Sequence, residues 1–231
     1  MAEMGDPAER REAGPTQSDA FDRHAARYDS WYDTTSGGAI LQEELDALRP
    51  LLTALPHPWL EVGVGSGRFA SALGAEYGAD PATAALALAA GRAVRVAAAR
   101  AEALPFADAT FGAVLFVTAI CFVPDPRAAL VEARRVLMPG GRLLLGLILA
   151  DGPWGLRYEE LAREGDPFYK RAHFFTRGEL SSLFTAAGFR LVRTRSALFA
   201  APDEEAVAAA AREGYDPDAG FTAMALEASS R

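Results

Sequence analysis

The glycine-rich segment at residues 63–67, Gly-Val-Gly-Ser-Gly, constrains the fold of this chain more than any other feature. It follows a short apolar run at 59–62 and precedes a helix-compatible segment at 68–73. A strand that turns through closely spaced glycines into a helix brings bare backbone next to a ligand, because glycine has no side chain that would collide with it. Such a turn alone is weak evidence of function, since many nucleotide-binding folds carry glycines after their first strand.

Two acidic residues and one arginine narrow the kind of ligand. Glu61 lies inside the first strand, where a carboxylate is costly unless a cationic or hydrogen-bonding group meets it. Asp80 lies about 20 residues further on, where a doubly wound sheet places the carboxylate that binds a ribose. Arg68 occupies the position that a dinucleotide fingerprint fills with glycine or alanine. The turn therefore fits a nucleoside with a cationic tail better than a pyrophosphate.

The rest of the chain alternates strand patterns with helix patterns. The runs at 114–117 and 143–145 are continuously apolar, which is typical of strands covered on both faces and hence of a parallel α/β sheet. Strands are predicted at 59–62, 75–78, 94–98, 113–117, 142–149, 190–198 and 221–228, and helices at 68–73, 81–90, 126–137 and 177–187.

The N-terminal part predicts a lid over this sheet. Residues 1–19 lack periodicity, and we expect a disordered lead there. Amphipathic helices are predicted at 21–31 and 39–52, with Gly37-Gly38 as the break between them. The aromatic-rich residues 151–175 would lie above the carboxyl ends of the strands, where α/β sheets bind ligands. We expect one domain over 20–231, with lid helices at about 20–54 and a cap at about 151–175.

Composition excludes several partner classes. The net charge of -8 argues against nucleic-acid or anionic-membrane surfaces, which need clustered Lys and Arg. Cys121 is the only cysteine, so no intrachain disulfide can form. With no signal-peptide core in the first residues and no apolar run of membrane-spanning length, these features predict a cytoplasmic protein. The three histidines lack ligand spacing with cysteine or acidic partners, so we predict no metal site.

Four motifs together resemble a known family. Residues 60–69, 78–81 (Gly-Ala-Asp-Pro), 101–106 (Ala-Glu-Ala-Leu-Pro-Phe) and 135–141 (Arg-Val-Leu-Met-Pro-Gly-Gly) occur in the order and spacing of class I S-adenosylmethionine-dependent methyltransferases. The chain is similar to the bacterial type 11 group, which is itself similar to quinone-biosynthesis methyltransferases. The resemblance implies a Rossmann-like α/β fold: a mostly parallel seven-stranded sheet with a C-terminal antiparallel hairpin and helices on both faces. It also implies S-adenosylmethionine as cofactor and S-adenosylhomocysteine as product.

The resemblance assigns roles to particular residues. Glu61 would meet the ammonium group of the cofactor, and Asp80 would accept hydrogen bonds from both ribose hydroxyls. Thr118, after the fourth strand, would face cofactor and substrate. The remaining expected contacts are Gly63, Gly65, Ser66 and Gly67 at the methionine part, Pro81 beside Asp80, Ala101, Glu102 and Ala103 along the adenine, and Tyr28 from the lid.

Each assignment has a structural alternative. Glu61 and the glycines could form only a tight turn, Asp80 could cap the helix that Pro81 begins, and Thr118 could bond only to backbone. Arg68 could contact the cofactor carboxylate or lie in solvent at the start of a helix. The aromatic side chains of Tyr28, Trp31 and Tyr32 could attract a sulfonium or only pack an amphipathic helix against the sheet. Arg100 stands where relatives often carry Asp or Asn, and a guanidinium cannot accept a bond from the adenine amino group.

The leading functional hypothesis is methyl transfer to a small molecule by in-line displacement. No proton relay stands out; Tyr28, Tyr169 and His173 are candidate bases by location only. The alternatives are a cofactor-binding protein that acts through a partner, an enzyme that uses the sulfonium charge without losing methyl, and a nicotinamide-dependent oxidoreductase. Arg68 disfavours the last of these. The sequence does not indicate an oligomeric state.

Overall fold

The computed structural model of this protein describes residues 17–202, 204 and 209–229. The helices are α1 (Gln17–Trp31), α2 (Thr35–Leu52), α3 (Arg68–Leu73), α4 (Thr83–Gly91), α5 (Pro126–Val136), α6 (Pro153–Arg163) and α7 (Arg177–Ala187), with a 3₁₀ turn at Ile120–Phe122. The strands are β1 (Trp59–Val62), β2 (Tyr77–Asp80), β3 (Arg95–Ala98), β4 (Phe111–Val117), β5 (Leu137–Leu147), β6 (Phe189–Ala197), β7 (Arg212–Glu213) and β8 (Phe221–Ala228).

These strands form one mixed sheet in the order β3-β2-β1-β4-β5-β8-β6-β7. The pairs from β3 to β5 are parallel, and β8 lies antiparallel between β5 and β6. The predicted Rossmann-like α/β sheet is confirmed, including its C-terminal antiparallel hairpin. The described sheet has eight strands rather than seven, because the two-residue β7 pairs with the edge of β6.

Helices cover both faces of the sheet, as the continuous apolar runs predicted. Leu115 and Val117 face a core formed with α2, α3 and α4, whereas Val114 and Phe116 face a core formed with α5 and α7. Every residue of β4 is buried. Burial on both faces explains why the strand sequence shows no alternation of polar and apolar residues.

The N-terminal helices differ in two details from the prediction. Residues 1–16 of the expected lead lie outside the described residues, and residues 17–19 already belong to α1. Gly37 and Gly38 do not break the helix but lie in the first turn of α2, where the Thr34 hydroxyl accepts a bond from Gly37 N at 3.0 Å. A Cβ on Gly37 would collide with the carbonyl oxygen of Trp31. Glycine is needed there for a close approach of the chain.

One further region adjusts the expected organisation. The segment 151–175 contains a helix, α6, that the sequence pattern did not predict. Its Trp154 indole donates to Ala200 O at 3.0 Å and so attaches α6 near the end of β6.

No helix in the described ranges has both the length and the apolar character needed to cross a bilayer.

Helix α2 buries two neighbouring carboxyl groups. Glu43 and Glu44 are each 4% exposed. Glu43 accepts a hydrogen bond from Leu198 N at 3.2 Å. Burial, and to a smaller extent the nearby Glu43, raises the pKa of Glu44 to about 8. Glu44 therefore keeps its proton in the folded protein at pH values where an exposed glutamate has lost it.

This raised pKa predicts a pH-dependent loss of stability. Because the folded-state pKa of Glu44 exceeds the unfolded value, stability should decrease as pH rises from about 4.5 towards 8 and level off above that. Glu44→Gln removes the proton linkage. At each pH we take the free energy of unfolding of the variant minus that of the wild type. This difference should be larger at pH 8.5 than at pH 5, by an amount on the order of a few kcal/mol.

Urea unfolding at the two pH values measures this change. Asp46→Asn, which alters an exposed carboxylate of the same helix, is the control and should show no comparable pH-dependent gain. Parallel behaviour of the Glu44 variant and the wild type at both pH values would contradict the assignment.

Candidate active site

A cavity of about 630 Å³ lies at the carboxyl ends of β1, β2 and β4 and is covered by α1. This is the edge at which parallel α/β sheets bind ligands, and the volume is typical of a small-molecule site. Of the predicted cofactor residues, Tyr28, Glu61, Gly63, Gly65, Ser66, Asp80, Pro81, Ala101, Glu102 and Thr118 line the cavity. Gly67 and Ala103 are not among the lining residues.

The glycine turn after β1 exposes backbone to this cavity. Gly63 and Gly65 both have positive φ, at 73° and 49°. A Cβ on Gly63 would collide with that of Ala119, whereas a Cβ on Gly65 would meet nothing within 4 Å. Gly67, with φ at 79°, instead packs against α4, since a Cβ there would lie 2.9 Å from Ala89 Cα. The third glycine thus serves helix packing, which explains its absence from the cavity wall.

Asp80 fixes the shape of the turn. One carboxylate oxygen accepts from Gly65 N at 2.9 Å, and the other accepts from Ala82 N at 2.8 Å. Desolvation raises the pKa of Asp80, and the two backbone N–H groups oppose that shift. The residue before α4 is Ala82, so Asp80 is not the N-cap itself but bonds to the backbone two residues on. Each of its oxygens keeps a further lone pair for a ligand.

Glu61 presents an unsatisfied carboxylate oxygen. The side chain is 1% exposed, and its Oε2 has no hydrogen-bond partner among the described residues. Burial, with a smaller contribution from Asp80, raises the pKa of Glu61 well above its usual range. An unpaired buried carboxylate is unfavourable, and a cation in the cavity would relieve that cost. The residue therefore fits the ammonium contact predicted for it.

The segment predicted to lie along adenine, at residues 101–103, is held by an ion pair between residues 100 and 102 and by the contacts of α5 with the residues that follow it. The Arg100 guanidinium lies 3.3 Å from Glu102, whose carboxylate also accepts from Asp125 N at 3.2 Å. Arg135 donates to the carbonyl oxygens of residues 104 and 106 at 3.0 and 2.8 Å. Glu132 accepts from the N–H of residue 104 at 3.0 Å. Glu132 was not predicted from the sequence, although its spacing of three from Arg135 on one helix is a recognisable local signal.

A network of charges connects α1 to the glycine turn. Asp29 of α1 accepts from Arg68 Nε at 2.8 Å and from Arg92 Nη2 at 2.8 Å. Arg92 also donates to Ser66 O at 2.8 Å, and Arg68 donates to Asp33 at 2.7 Å. Partial burial would raise the pKa of Asp29, but the bonds from Arg68, Ser66 and Arg92 outweigh it and hold the pKa well below the usual range.

This network decides the position of Arg68. Its guanidinium is neither in open solvent nor free for a ligand, because Asp29 and Asp33 occupy it. Asp29 and Arg92 were not predicted from the sequence as parts of the site. No local signal could have indicated these contacts, since Asp29 lies 39 residues from Arg68 and 63 residues from Arg92 along the chain.

Comparison with known proteins agrees with this geometry. The family described as "Methyltransferase domain" matches residues 60–145. An S-adenosylmethionine-dependent methyltransferase from Thermotoga maritima, described as a possible histamine N-methyltransferase, superimposes with a TM-score of 0.82. It is 34% identical, over 91% of this chain and 98% of the Thermotoga chain. The chain belongs to the S-adenosylmethionine-dependent methyltransferase family. The resemblance inferred from the four sequence motifs is therefore confirmed, and the protein is an enzyme of that family.

Two relatives extend the comparison. An uncharacterized protein of Mycobacterium tuberculosis is 44% identical over 212 residues, which cover 90% of this methyltransferase and 73% of the relative. A demethylmenaquinone methyltransferase of Thermus thermophilus is 38% identical over 137 residues, covering 54% of this chain and 62% of the relative. The second match agrees with the similarity to quinone-biosynthesis enzymes that the motifs indicated.

The candidate catalytic residues of this methyltransferase lie in different environments. Tyr28 and His173 line the cavity, and Tyr169 does not. Tyr169 stacks on Tyr158 with ring centroids 4.5 Å apart. His173 Nε2 lies 3.7 Å from Glu179 at an exposed position. Burial raises the pKa of Tyr28, so this phenol stays protonated near neutral pH.

Two neighbouring residues complete the wall beside Tyr28. Thr118 has φ at 48° while its N–H donates to Gly146 O at 2.8 Å. A β-branched residue in the left-handed region is strained, and such strain clusters at functional sites. Burial raises the pKa of Cys121 to about 12, so this cavity-lining residue remains a thiol. Trp31 is 40% exposed and is not among the cavity-lining residues, so the predicted aromatic face contributes only Tyr28 and Tyr32 to the cavity.

No group of histidine, cysteine and acidic side chains suited to a metal occurs within the described ranges. The cap contributes Arg171 and His173 to the cavity wall. The glycine turn, the carboxyl groups of Glu61 and Asp80, and the lid helix therefore make up most of the candidate site.

The Asp29 network predicts how firmly the lid is held. Asp29→Asn should weaken bonds to two guanidinium groups, each worth about 1.5–3 kcal/mol. Amide hydrogen exchange of residues 21–31 should accelerate by about tenfold or more. Asp33→Asn is the matched control, since Asp33 is 66% exposed and pairs only with Arg68 among the described ion pairs. In this variant the free energy of local opening of residues 21–31 should change by no more than about 1 kcal/mol. Equal exchange rates in the two variants would show that Asp29 does not hold the lid.

Proposed function

We propose that this methyltransferase transfers a methyl group from S-adenosylmethionine to a small-molecule acceptor bound in the cavity beneath α1. The observation that carries this proposal is the arrangement of two carboxyl groups beside the glycine turn, the buried Glu61 and the half-buried Asp80. Glu61 has an unpaired oxygen, and Asp80 is held rigidly by two backbone N–H groups. A ligand with a cationic amino acid tail and a ribose matches both.

The residues of the turn suit a cofactor of this shape. Glu61 would bind the ammonium group, and Gly65 would let the backbone approach the methionine part. Asp80 would use its remaining lone pairs for the ribose hydroxyls. Ala101 and Glu102 would border the adenine. Arg100 is engaged with Glu102, so recognition of the adenine amino group would depend on backbone groups.

When bound, S-adenosylmethionine supplies a methyl group on a sulfonium sulfur, which is already a good leaving group. The work of the protein is then to align the acceptor and exclude water, an effect worth about 7–11 kcal/mol at most. Tyr28 and Thr118 lie on the cavity wall where they can orient the acceptor by hydrogen bonds. Tyr28 stays protonated and therefore acts as an orienting group rather than a base. The helix α1 covers the site and keeps solvent out.

The small-molecule character of the acceptor rests on the cavity volume of about 630 Å³ and on the net charge of -8, which does not favour nucleic acid. The Thermotoga relative is described as a possible histamine N-methyltransferase, and histamine is a small molecule. The single cysteine agrees with action in a reducing, cytoplasmic environment. We also propose that residues 20–231 act as one domain, with α1 and α2 as the lid and residues 151–175 as the cap.

Calorimetric titration with S-adenosylmethionine, S-adenosylhomocysteine and NAD tests the cofactor. We expect micromolar binding of the first two and none of NAD. Product analysis with a panel of acceptors then separates the alternatives. Binding without any S-adenosylhomocysteine formation would favour a partner-dependent protein, and conversion of an acceptor without methyl loss would favour sulfonium-assisted chemistry. Binding of NAD alone would overturn the proposal.

A substitution at Asp80 tests the ribose contact. Asp80→Asn keeps one acceptor oxygen for the backbone but replaces the other with a donor, so affinity for S-adenosylmethionine should decrease by about tenfold or more. Asp46→Asn, on an exposed part of α2, should leave the affinity unchanged. Calorimetry measures both, and circular dichroism verifies that the variants are folded. Wild-type affinity in the Asp80 variant would exclude the ribose assignment.

A further inference from the structure

The cavity wall contains a histidine that the proposed mechanism does not use. His173 lines the cavity, and imidazole is the side chain that exchanges protons most readily near neutral pH. Two other groups of the wall hold their protons, because burial raises the pKa of the Tyr28 phenol and raises that of the Cys121 thiol to about 12. The proposed function assigns Glu61 and Asp80 to the cofactor. Among these groups, His173 therefore suits the role of a base toward the acceptor.

The backbone of His173 is attached to the turn that follows β4. Its N–H donates to the carbonyl oxygen of Cys121 at 2.8 Å. The Cys121 thiol in turn lies 3.6 Å from the carbonyl oxygen of Thr118. The imidazole packs edge-to-face against the ring of Phe175, with centroids 4.5 Å apart. These contacts hold His173 beside the part of the wall to which Thr118 and Cys121 belong.

Glu179 of α7 orients the imidazole. Its Oε1 lies 3.7 Å from His173 Nε2, within ion-pair distance. Its Oε2 accepts from the N–H and the hydroxyl of Thr176 at 2.7 and 2.9 Å, in the capping box that begins α7. These two bonds, and to a smaller extent the charge of His173, hold the pKa of Glu179 below its usual range. The fixed carboxylate favours a proton on Nε2 of His173 and therefore a lone pair on Nδ1.

The surroundings of His173 let a proton leave after each reaction. Its side chain is 63% exposed, so water can take the proton without a relay of further residues. The other charged or titratable groups on the elements packed against it are Arg171 of the cap, Cys121 of the 3₁₀ turn and Arg177 of α7. The Arg177 guanidinium lies over the ring of Tyr215, 4.4 Å from its centroid. Glu179 is the acidic group that the described contacts place against the imidazole.

Aromatic rings from two elements line the cavity on the side of this turn. They are Phe21 and Tyr28 of α1 and Phe122 of the 3₁₀ turn. The ring of Phe21 lies 5.0 Å from that of Phe122 and 5.5 Å from that of Tyr28, both in edge-to-face geometry. Such a wall offers a planar aromatic ligand matching surfaces, and a neutral ligand enters it without the cost of desolvating a charge.

Building on the proposed function, we propose that His173 is the catalytic base of the methyl transfer and that the acceptor is a phenol, with Glu179 as a positioning residue. The phenolic hydroxyl gives its proton to Nδ1 of His173 while its oxygen lone pair forms the bond to the methyl carbon. The electrons of the broken C–S bond remain on sulfur, and the Glu179 carboxylate stabilises the imidazolium. A phenol is acidic enough for this base, whereas an aliphatic alcohol holds its proton too firmly.

Phenols of different acidity test the role of His173. At about pH 8 phenol keeps its proton, whereas 4-nitrophenol is mostly ionised and needs no base. In His173→Gln, kcat for S-adenosylhomocysteine formation should decrease by roughly 10²-fold or more with phenol, but by less than about tenfold with 4-nitrophenol. His57→Gln is the matched control and should retain the wild-type kcat with both. His57 also pairs with a glutamate at an exposed position but is not among the cavity-lining residues.

A second variant separates the positioning role of Glu179 from its role in the helix cap. Glutamine at this position still accepts from Thr176 N in a capping box, but it carries no charge to orient or stabilise the imidazole. Glu179→Gln should therefore lower kcat with phenol by about tenfold and leave kcat with 4-nitrophenol nearly unchanged. Circular dichroism verifies that α7 and the rest of the fold are retained.

The absorbance of bound 4-nitrophenol supplies a readout without cofactor or turnover. At about pH 6 this compound is mostly protonated in water, and its phenolate absorbs at longer wavelength. An imidazolium beside the ligand stabilises the phenolate. Titration of the wild type and of His57→Gln should therefore increase the phenolate absorbance, and titration of His173→Gln should not.

Several results would overturn the proposal. They are equal losses of kcat with the two phenols in His173→Gln, wild-type kcat with phenol in that variant, and absence of the phenolate signal in the wild type. Failure of an enzyme that binds S-adenosylmethionine to methylate any phenol would exclude the acceptor class. If S-adenosylmethionine does not bind, the proposed function fails, while the absorbance of bound 4-nitrophenol still decides the role of His173.

Discussion

The bonds of Asp29 to Arg68 and Arg92 join the parts of the molecule on which the site depends. Asp29 belongs to the lid helix α1, Arg68 begins the helix after the glycine turn, and Arg92 ends α4. Because Arg92 also bonds to Ser66 O, one carboxylate orients the lid and the turn together. Apolar packing also holds α1, since Ala25 packs against Ala82 and Ala85, and the Phe21 ring lies 5.0 Å from the Phe122 ring. Charge pairing and apolar packing therefore position the lid together.

Two buried carboxyl groups, Glu61 and Glu44, and the half-buried Asp80 show how differently a fold can treat such a group. Asp80 is satisfied by two backbone N–H groups and so stabilises the turn. Glu61 keeps one oxygen without a partner, and Glu44 has neither a bond nor an ion pair in the described chain. Desolvation raises the pKa of all three. The unsatisfied oxygen of Glu61 reduces the stability of the free protein, which is the physical reason to associate this residue with a cationic ligand group.

Local sequence patterns predicted much of the fold and the cofactor side of the site. The apolar runs of β4 and β5 indicated a sheet covered on both faces, and Gly65 and Asp80 lie at the cavity as expected. The helix break predicted at Gly37 was wrong. This glycine lies within α2, and its missing side chain permits close approach to the carbonyl oxygen of Trp31. Gly67 resembled a ligand contact in sequence, but its position against Ala89 gives it a packing role.

The sequence by itself determined most of the strands and helices, though not α6 or β7, together with the glycine turn and the acidic residues beside it, because these depend on short-range periodicity and on backbone freedom. Only the tertiary structure decided which distant charges meet. It paired Arg68 with Asp29 and excluded Tyr169 from the cavity wall. Such contacts join residues far apart in the chain, and their energies depend on burial and distance. Neither quantity exists until the chain has folded.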